Sequence, residues 1–284
     1  MLPNFLIIGA PRSGTTHLYR GLRQHPEVFM SNFKEPMFFA YEGKPRPGSI
    51  TDPLAYEALF EGSSRYPARG EASTLYLYHP DAPESIGRHI PNARLIAILR
   101  NPADRAFSQY TFQRLLETEP LQTFEQALAA EPERALTDAS PFLLYREVGR
   151  YGIQIPRYVS RFPKEQMLFL LQDDLDAHPD RVFRDIFSFL GVNPDFQPDL
   201  GHRTNASGIP QHTTLFRTIK SMGRAIKRLL PERLATQLSG SADEALLSRP
   251  HMSSETRATL NRFFAQDIAQ TADLIGRDLS HWLA

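Results

Sequence analysis

The sequence predicts an α/β fold in which a central parallel sheet of about four to five strands is flanked by helices. Two observations predict it: short apolar runs bounded by polar, Gly or Pro residues, and segments of helical periodicity that alternate with them. The chain has 284 residues, 41% of them hydrophobic, which is enough to bury one sizeable core. We therefore predict a single domain over residues 1–284, with a helical C-terminal part from about residue 212.

Four segments carry the strand prediction. Interior strands of a parallel sheet are typically short, continuous apolar runs, because both of their faces are covered. Three segments have this pattern, and a fourth is weaker because it contains polar residues. In chain order they are residues 5–8, 68–72 (the weaker one), 95–99 and 167–171.

Helical periodicity lies between and after these strands. One helix is expected to follow Gly14, and another to begin at Pro102, since Pro suits the first turn of a helix. The last predicted helix ends before Gly276, a C-cap residue. The other helices are predicted over residues 142–162, 181–190 and 254–275.

Three further stretches connect these elements. Residues 41–53 and 191–211 are rich in turn-forming residues and are predicted to be loops. Residues 215–229 combine basic side chains with apolar residues at helical spacing. They are predicted to form an amphipathic surface helix, with a lid or an acceptor-binding edge as the alternative.

Composition excludes several classes of protein. The chain carries 32 basic and 32 acidic residues, a formal net charge of +0, which argues against a general nucleic-acid binder. It contains no cysteine, so disulfides, thiolate catalysis and Cys-ligated zinc are excluded. The apolar run near the N-terminus is too short to span a bilayer and has no basic residues before it. We therefore expect a soluble protein without a transmembrane segment, and the lack of cysteine fits the cytoplasm.

The first predicted strand leads through a turn with two glycines into a helix. Gly9 and Gly14 have the spacing of the Walker A pattern G-x-x-x-x-G-K-[ST], and Thr16 stands at its last position. A tight turn followed by a helix N-terminus presents free N–H groups and the positive end of the helix dipole, which suits a phosphate. However, Thr15 replaces the Lys that reaches the β- and γ-phosphates in NTPases, while Arg12 supplies a cation inside the loop. The pattern predicts a phosphate site and argues against ordinary ATP or GTP hydrolysis.

Residues 9–16, Gly-Ala-Pro-Arg-Ser-Gly-Thr-Thr, resemble a known phosphosulfate loop. The loop belongs to sulfotransferases that use 3′-phosphoadenosine 5′-phosphosulfate (PAPS), which have a P-loop-like domain with Lys or Arg at this cationic position. The resemblance implies that the 5′-phosphosulfate is held by Arg12, Ser13, Gly14, Thr15 and Thr16.

A second motif spans residues 95–110, where a buried strand is again followed by a helix. Arg100 stands at the carboxyl end of the strand, where open α/β sheets bind ligands, and Ser108 follows about two turns into the helix. An Arg and a hydroxyl that converge can clamp a phosphate. The alternative is that Arg100 pairs with Asp104 and that Ser108 belongs to an ordinary helix surface.

The second motif is similar to the 3′-phosphate-binding strand and helix of the same sulfotransferases, which implies that Arg100 and Ser108 hold the 3′-phosphate. ATP lacks such a phosphate. Two motifs in the family's order identify the chain as a PAPS-dependent sulfotransferase, a bacterial relative of the carbohydrate or heparan-type domain. The alternatives are a P-loop nucleotide kinase or NTPase, and an inactive nucleotide-binding module. The matching residues are Arg100, Asn101, Pro102, Asp104, Arg105, Ser108 and Tyr110.

Two further segments, residues 34–39 and 70–76, look like parts of the carbohydrate branch. In that branch the Glu that matches Glu35 is the general base, so the resemblance implies this role here. A surface pair with the neighbouring Lys is the alternative for Glu35, and His79 is the second candidate for the base. The carbohydrate enzymes often have Lys where this chain has Ala72, which removes one cation from the site.

The expected reaction is transfer of a sulfuryl group from PAPS to a hydroxyl or amine of a carbohydrate, lipid or small molecule, leaving adenosine 3′,5′-bisphosphate. Such a transfer needs a base and a cation beside the leaving phosphate, for which Arg12 is the candidate, and it requires no metal. A polar loop near residue 203 stands where the family closes over the 3′-phosphate, which makes Arg203 and Ser207 candidates. Residues 38–41 suit stacking on an acceptor, or core packing.

Overall fold

A computed structural model describes residues 1–44, 46–137, 140–200, 209–210, 247–248 and 250–284. Its main sheet has five strands, all parallel, in the order β2-β3-β1-β4-β5. The predicted α/β class and strand number are confirmed. The strands are β1 (Phe5–Gly9), β2 (Val28–Met30), β3 (Ala68–Ala72), β4 (Arg94–Leu99) and β5 (Met167–Leu171), and a separate antiparallel pair is formed by β6 (Ile209–Pro210) and β7 (Leu247–Ser248).

Ten α-helices lie within the described ranges, and most of them are short. The predicted helices after Gly14 and at Pro102 are present, and the last one matches its predicted bounds and ends before Gly276 at φ 66°. The helices are α1 (Thr15–Leu22), α2 (Phe38–Tyr41), α3 (Pro53–Ala58), α4 (Ala82–His89), α5 (Pro102–Leu115), α6 (Phe124–Ala135), α7 (Tyr151–Val159), α8 (Gln172–Ala177), α9 (Pro179–Leu190) and α10 (Ser254–Ile275).

The chain divides into two compact units. The first holds the five-stranded sheet and comprises Met1–Arg105, Arg146–Leu200 and Thr259–Ala284. The second comprises Ala106–Tyr145 and Gly201–Ala258. A single domain over residues 1–284 stays a prediction. Of the helical part expected from about residue 212, α10 is described, whereas the basic segment 215–229 lies outside the described residues.

Strand β1 lies at the centre of the sheet and is fully buried along its length. Its neighbour β3 places Gly70 opposite Phe5, and a side chain on this glycine would collide with the Phe5 ring. One core cluster packs the sheet against α1 and α9. The helix residues in that cluster include Leu18, Leu22, Phe183, Ile186, Phe187 and Leu190.

The order of the strands creates a crevice at the carboxyl edge of the sheet. From β1 the chain proceeds to β2 and β3 on one side, and it then crosses to β4 and β5 on the other side. The connections that leave β1 and β4 therefore diverge, and ligands of open α/β sheets bind at such a switch point. In both motifs with a predicted phosphate role, the turn that follows the strand lies at this edge.

The helix predicted over residues 142–162 is wrong in its first half, because α7 begins only at Tyr151. Gly149 packs so closely that an added Cβ would lie 3.2 Å from the ring of Phe264, and Arg150 has a non-helical ψ of 72°. A carboxylate oxygen of Asp267 accepts the N–H of Gly152 at 3.1 Å. Long-range packing against α10 therefore sets the start of α7.

The second unit is stabilised by a buried ion pair. Glu119, which is 1% exposed, accepts hydrogen bonds from Arg134 at 2.7 and 2.8 Å and from the Tyr145 hydroxyl at 2.6 Å. Burial raises the pKa of Glu119, but the hydrogen bonds from Arg134 and Tyr145 outweigh it and hold this pKa below its usual value. Helix α6 begins with a capping box between Thr123 and Gln126.

Candidate functional site

The turn between β1 and α1 has an unusual backbone conformation. Arg12 and Gly14 both have left-handed backbones, at φ 66° and 101°. The left-handed backbone of Arg12 costs energy because this residue has a Cβ, and such strain concentrates at functional sites. A Cβ at Gly14 would lie 3.2 Å from Leu175 and 3.5 Å from Ile98, so a side chain here would be both strained and crowded. No side chain caps the start of α1, which leaves this helix N-terminus suited to an anion.

The turn between β4 and α5 meets this loop directly. The Nη1 atom of Arg100 donates to the backbone carbonyl of Arg12 at 3.1 Å. The carbonyl of Arg100 in turn accepts a hydrogen bond from the Tyr151 hydroxyl at 3.1 Å. The structure therefore brings together the two arginines that the separate motifs predicted.

Positive charge is concentrated at this meeting point. Burial first, and then the nearby charges of Arg100 and Arg105, lower the pKa of Arg12 to about 10. All three guanidinium groups remain charged near pH 7, although Arg105 is fully buried. Because like charges at close range repel each other, a bound dianion would stabilise the cluster.

The remaining predicted nucleotide-binding residues are placed as follows. Ser13 and Thr15 are buried, and Thr16 is half-buried in the first turn of α1. Ser108 is half-buried on α5, and its carbonyl accepts the Thr111 hydroxyl at 3.0 Å; it belongs to the second unit. Arg203 and Ser207 lie outside the described residues.

Glu35 is held beside the carboxyl end of β3, the strand next to β1. Its N–H donates to the carbonyl of Ala72 at 2.9 Å, and its backbone is left-handed at φ 65°. The carboxylate accepts the N–H of Thr74 at 2.7 Å and the Thr74 hydroxyl at 3.2 Å, and Lys34 forms an ion pair with it. The side chain keeps 30% of its exposure, so Glu35 is an ordered carboxylate that still reaches solvent. Glu35 therefore forms the ion pair with Lys34 and is also held in a fixed position at the edge of the sheet.

A second carboxyl group lies behind Glu35, and the sequence had assigned it no role. Glu71 is fully buried in β3 and accepts hydrogen bonds from the hydroxyls of Ser73 at 2.9 Å and Tyr56 at 3.3 Å. Burial raises the pKa of Glu71 to about 8, although hydrogen bonds from Tyr76, Ser73 and Tyr56 act in the opposite direction; the charge of Glu35 raises it further. The signal in the sequence was a Glu inside a predicted buried strand.

His79, the second candidate for the base, lies on the connection before α4. Its Nδ1 atom accepts the N–H of Asp81 at 3.3 Å, and its ring packs edge-on against Tyr41 at 5.0 Å. Burial lowers the pKa of His79, against the opposing charge of Asp81. The imidazole is therefore neutral near pH 7.

Residues 38–41 lie in the core, so the idea that they stack on an acceptor is wrong. Phe38 is fully buried and stacks on Tyr56 with ring centroids 4.4 Å apart. Ala72 is also fully buried, which leaves no room for the long cation that the carbohydrate enzymes often have there.

No three His, Cys, Asp or Glu side chains come together as metal ligands would within the ranges that the structure describes. Across the same ranges, no helix combines the length and the apolar character needed to cross a bilayer.

The fold and this turn pair define a class of α/β protein with clustered positive charge and an uncapped helix N-terminus at the carboxyl edge of its sheet, an arrangement suited to a multiply charged phosphate compound. Comparison with known proteins gives the family. The model of the sulfotransferase domain family matches residues 2–271. The crystal structure of a sulfotransferase from Alicyclobacillus acidocaldarius is similar with a TM-score of 0.79 and 32% identity, over 100% of both chains. The chain belongs to the sulfotransferase domain family, which confirms the class predicted from the two motifs.

Curated relatives extend this similarity to larger human proteins. Bifunctional heparan sulfate N-deacetylase/N-sulfotransferase 2 of Homo sapiens is 29% identical over 209 residues, which cover 68% of this chain and 22% of that protein. Carbohydrate sulfotransferase 15 of Homo sapiens is 29% identical over 250 residues, which cover 68% of this chain and 44% of that protein. The chain thus spans less than half the length of these relatives.

Proposed function

We propose that this chain transfers a sulfuryl group from PAPS to a hydroxyl or amine of a carbohydrate, lipid or small molecule. The acceptor oxygen or nitrogen forms a bond to sulfur, and the bond between sulfur and the phosphate oxygen breaks. The acceptor proton passes to the carboxylate of Glu35, and adenosine 3′,5′-bisphosphate leaves. The contact between the Arg12 loop and Arg100 is the observation that supports this proposal most strongly.

Arg12 is proposed to stabilise the phosphate oxygen that accumulates negative charge as the sulfuryl group departs. Ser13 and the loop N–H groups of residues 14–16 are proposed to orient the 5′ end, and Arg100 with Ser108 to bind the 3′-phosphate. This division fits the structure, since the loop offers backbone donors whereas the second turn offers a guanidinium group. Arg203 and Ser207 remain proposed to close over the nucleotide.

Glu35 is the proposed general base because its carboxylate is fixed and still partly exposed. His79 has the neutral imidazole that a base also needs, but its Nδ1 atom is already engaged by the N–H of Asp81. The two candidates are separated by Glu35→Gln and His79→Gln, assayed for turnover and for binding of adenosine 3′,5′-bisphosphate. We expect Glu35→Gln to lower kcat about 10²- to 10⁴-fold with unchanged nucleotide affinity, because only the proton acceptor is removed. Full activity of Glu35→Gln would exclude it as the base.

The donor is tested by ligand-induced stabilisation, since a bound ligand raises the melting temperature by mass action. Adenosine 3′,5′-bisphosphate is expected to stabilise the protein more than adenosine 5′-monophosphate or Mg-ATP at equal concentration. A preference for Mg-ATP would point to a nucleotide kinase or NTPase instead. Stabilisation by the bisphosphate without turnover on a panel of glycan, lipid and small hydroxyl or amine acceptors with labelled PAPS would point to an inactive binding module.

A further inference from the structure

The buried carboxyl group of Glu71 is surrounded by hydroxyl groups. Ser73 and Tyr56 donate to its two oxygens, and Tyr76 is a further hydrogen-bond partner. These groups come from α3 and from the connection that follows β3. No cation is among the partners that the described residues give this carboxyl group.

Two of these hydroxyls also accept hydrogen bonds from the segment that carries Glu35. The Ser73 oxygen accepts the N–H of Met37 at 3.0 Å, and the Tyr76 oxygen accepts the N–H of Phe39 at 3.4 Å. Each hydroxyl donates one proton and accepts with its lone pairs, and a protonated carboxyl group donates its own O–H to one partner while it accepts from the others. The carboxyl group of Glu71 therefore determines which way the Ser73 and Tyr76 hydroxyls point.

The segment after β2 needs such support because its backbone is strained. Glu35 and Met37 both have positive φ values, 65° and 57°, which are costly for residues with a Cβ. Backbone of this kind persists where the surrounding structure holds it firmly. Here the support consists of the Ser73 and Tyr76 hydroxyls, together with the Thr74 contacts to the Glu35 carboxylate.

We propose that Glu71 is a positioning residue for Glu35, which it holds through the hydroxyls of Ser73 and Tyr76, and that it does so as an uncharged carboxyl group. This inference rests on the proposed function, in which Glu35 is the base. In this proposal a fully buried group that does not touch PAPS or the acceptor substrate controls where the base lies.

Protonation of Glu71 links this network to pH. The titratable groups that face it are Tyr56 from α3, Tyr76 from the connection after β3 and Glu35 from the segment after β2. Because burial raises the pKa of Glu71 to about 8, the group is protonated near pH 7 and ionises under alkaline conditions. The ionised form would place a second negative charge behind Glu35, which disfavours an anionic donor at the same edge of the sheet.

The test compares wild type with Glu71→Gln and Glu71→Leu from about pH 6 to about pH 9, a range in which Arg12, with a pKa of about 10, stays charged. Gln keeps the shape and neutrality of the protonated carboxyl group, whereas Leu removes all polar contacts. Near pH 7 we expect Glu71→Gln to keep kcat within about threefold and Glu71→Leu to lose more than about tenfold in kcat, with the affinity for adenosine 3′,5′-bisphosphate unchanged in both. Above pH 8 wild type is expected to lose about tenfold in kcat/KM for PAPS and Glu71→Gln to lose none of it.

Glu42→Gln is the matched control. Burial raises the pKa of Glu42, but hydrogen bonds from Ser85 and His89 outweigh it and hold this pKa below its usual value, so the group stays ionised over the whole range. Its Gln variant should keep the pH profile of wild type. Equal profiles of wild type and Glu71→Gln would overturn the proposal, as would full activity of Glu71→Leu.

Two measurements keep the proposal testable if Glu71→Leu does not fold or if no acceptor is found. Ser73→Ala removes one of the two hydroxyls and should lower kcat without changing nucleotide affinity. Infrared spectra of wild type minus Glu71→Gln should show the C=O band of a protonated carboxyl group near pH 7 and its loss above pH 8. An ionised Glu71 near pH 7 would overturn the proposal. Lack of turnover by wild type would overturn the proposed function, while the infrared band would still decide the state of Glu71.

Discussion

The turns after β1 and β4 occupy the same edge of the sheet but are built in opposite ways. After β1 the backbone itself is unusual, with left-handed residues at Arg12 and Gly14 and no side chain that caps α1. After β4, Asn101 caps the helix, since its Oδ1 atom accepts the N–H of Ala103 at 3.0 Å. The first turn thus leaves N–H groups for a ligand, whereas the second uses them internally and offers the side chain of Arg100. This difference supports the proposal that the first turn binds the reacting 5′ end and the second binds the 3′-phosphate.

Of the substitutions that test this difference between the two turns, Arg12→Ala should have the largest effect. If Arg12 stabilises the leaving phosphate, its loss lowers kcat by about 10²- to 10³-fold, as for removal of one donor that acts on developing charge. Nucleotide affinity should fall far less. The check is single-turnover kinetics with PAPS together with titration of adenosine 3′,5′-bisphosphate. A loss confined to affinity would show that the first turn only binds.

Arg100→Ala should have a smaller effect, and one on binding rather than on kcat. Loss of a charged hydrogen bond to phosphate costs about 1.5–3 kcal/mol, or about 10- to 100-fold in affinity. The loss should appear for adenosine 3′,5′-bisphosphate and not for adenosine 5′-monophosphate, which has no 3′-phosphate. Calorimetric titration of both nucleotides measures it. Equal losses for the two nucleotides would break the division of roles between the turns.

Asn101→Ala should have the smallest effect, mainly on stability. The variant loses the cap of α5 and the hydrogen bond from its Nδ2 atom to the carbonyl of Trp282 at 2.8 Å. We expect a fall of about 1 kcal/mol in the free energy of unfolding, as for other N-caps. Chemical denaturation measures this, with Asn101→Asp as the matched control, because Asp keeps the cap but not the amide donor. A large fall in kcat at unchanged stability would contradict a purely structural role.

Much of the fold could be predicted from local sequence. The apolar runs of β1, β4 and β5 lie within a few residues of their observed bounds, because interior strands must be apolar on both faces. Strand β2 has only three residues, and the short helices α2 and α3 lie in or beside a stretch that looked like a loop. Segments of this length form through contacts with distant residues, which periodicity cannot reveal.

The site was predictable only in part, for the same physical reason. Arg12 and Arg100 each follow a recognisable strand, and parallel strands end at one edge, so their meeting could be foreseen. The position of Glu71 inside a predicted strand was visible in the sequence, but its hydrogen bonds were not, because Tyr56 and Tyr76 reach it from outside β3. The positive φ of Glu35 was equally hidden, since sequence patterns favour Gly for such backbone.

The most direct measurement is a crystal structure of the protein with adenosine 3′,5′-bisphosphate bound. One nucleotide should lie across the switch point between β1 and β4, with its 5′-phosphate within hydrogen-bond distance of Arg12 and the loop N–H groups, and its 3′-phosphate within hydrogen-bond distance of Arg100. A nucleotide bound elsewhere, or one whose two phosphates contact the same turn, would contradict the account.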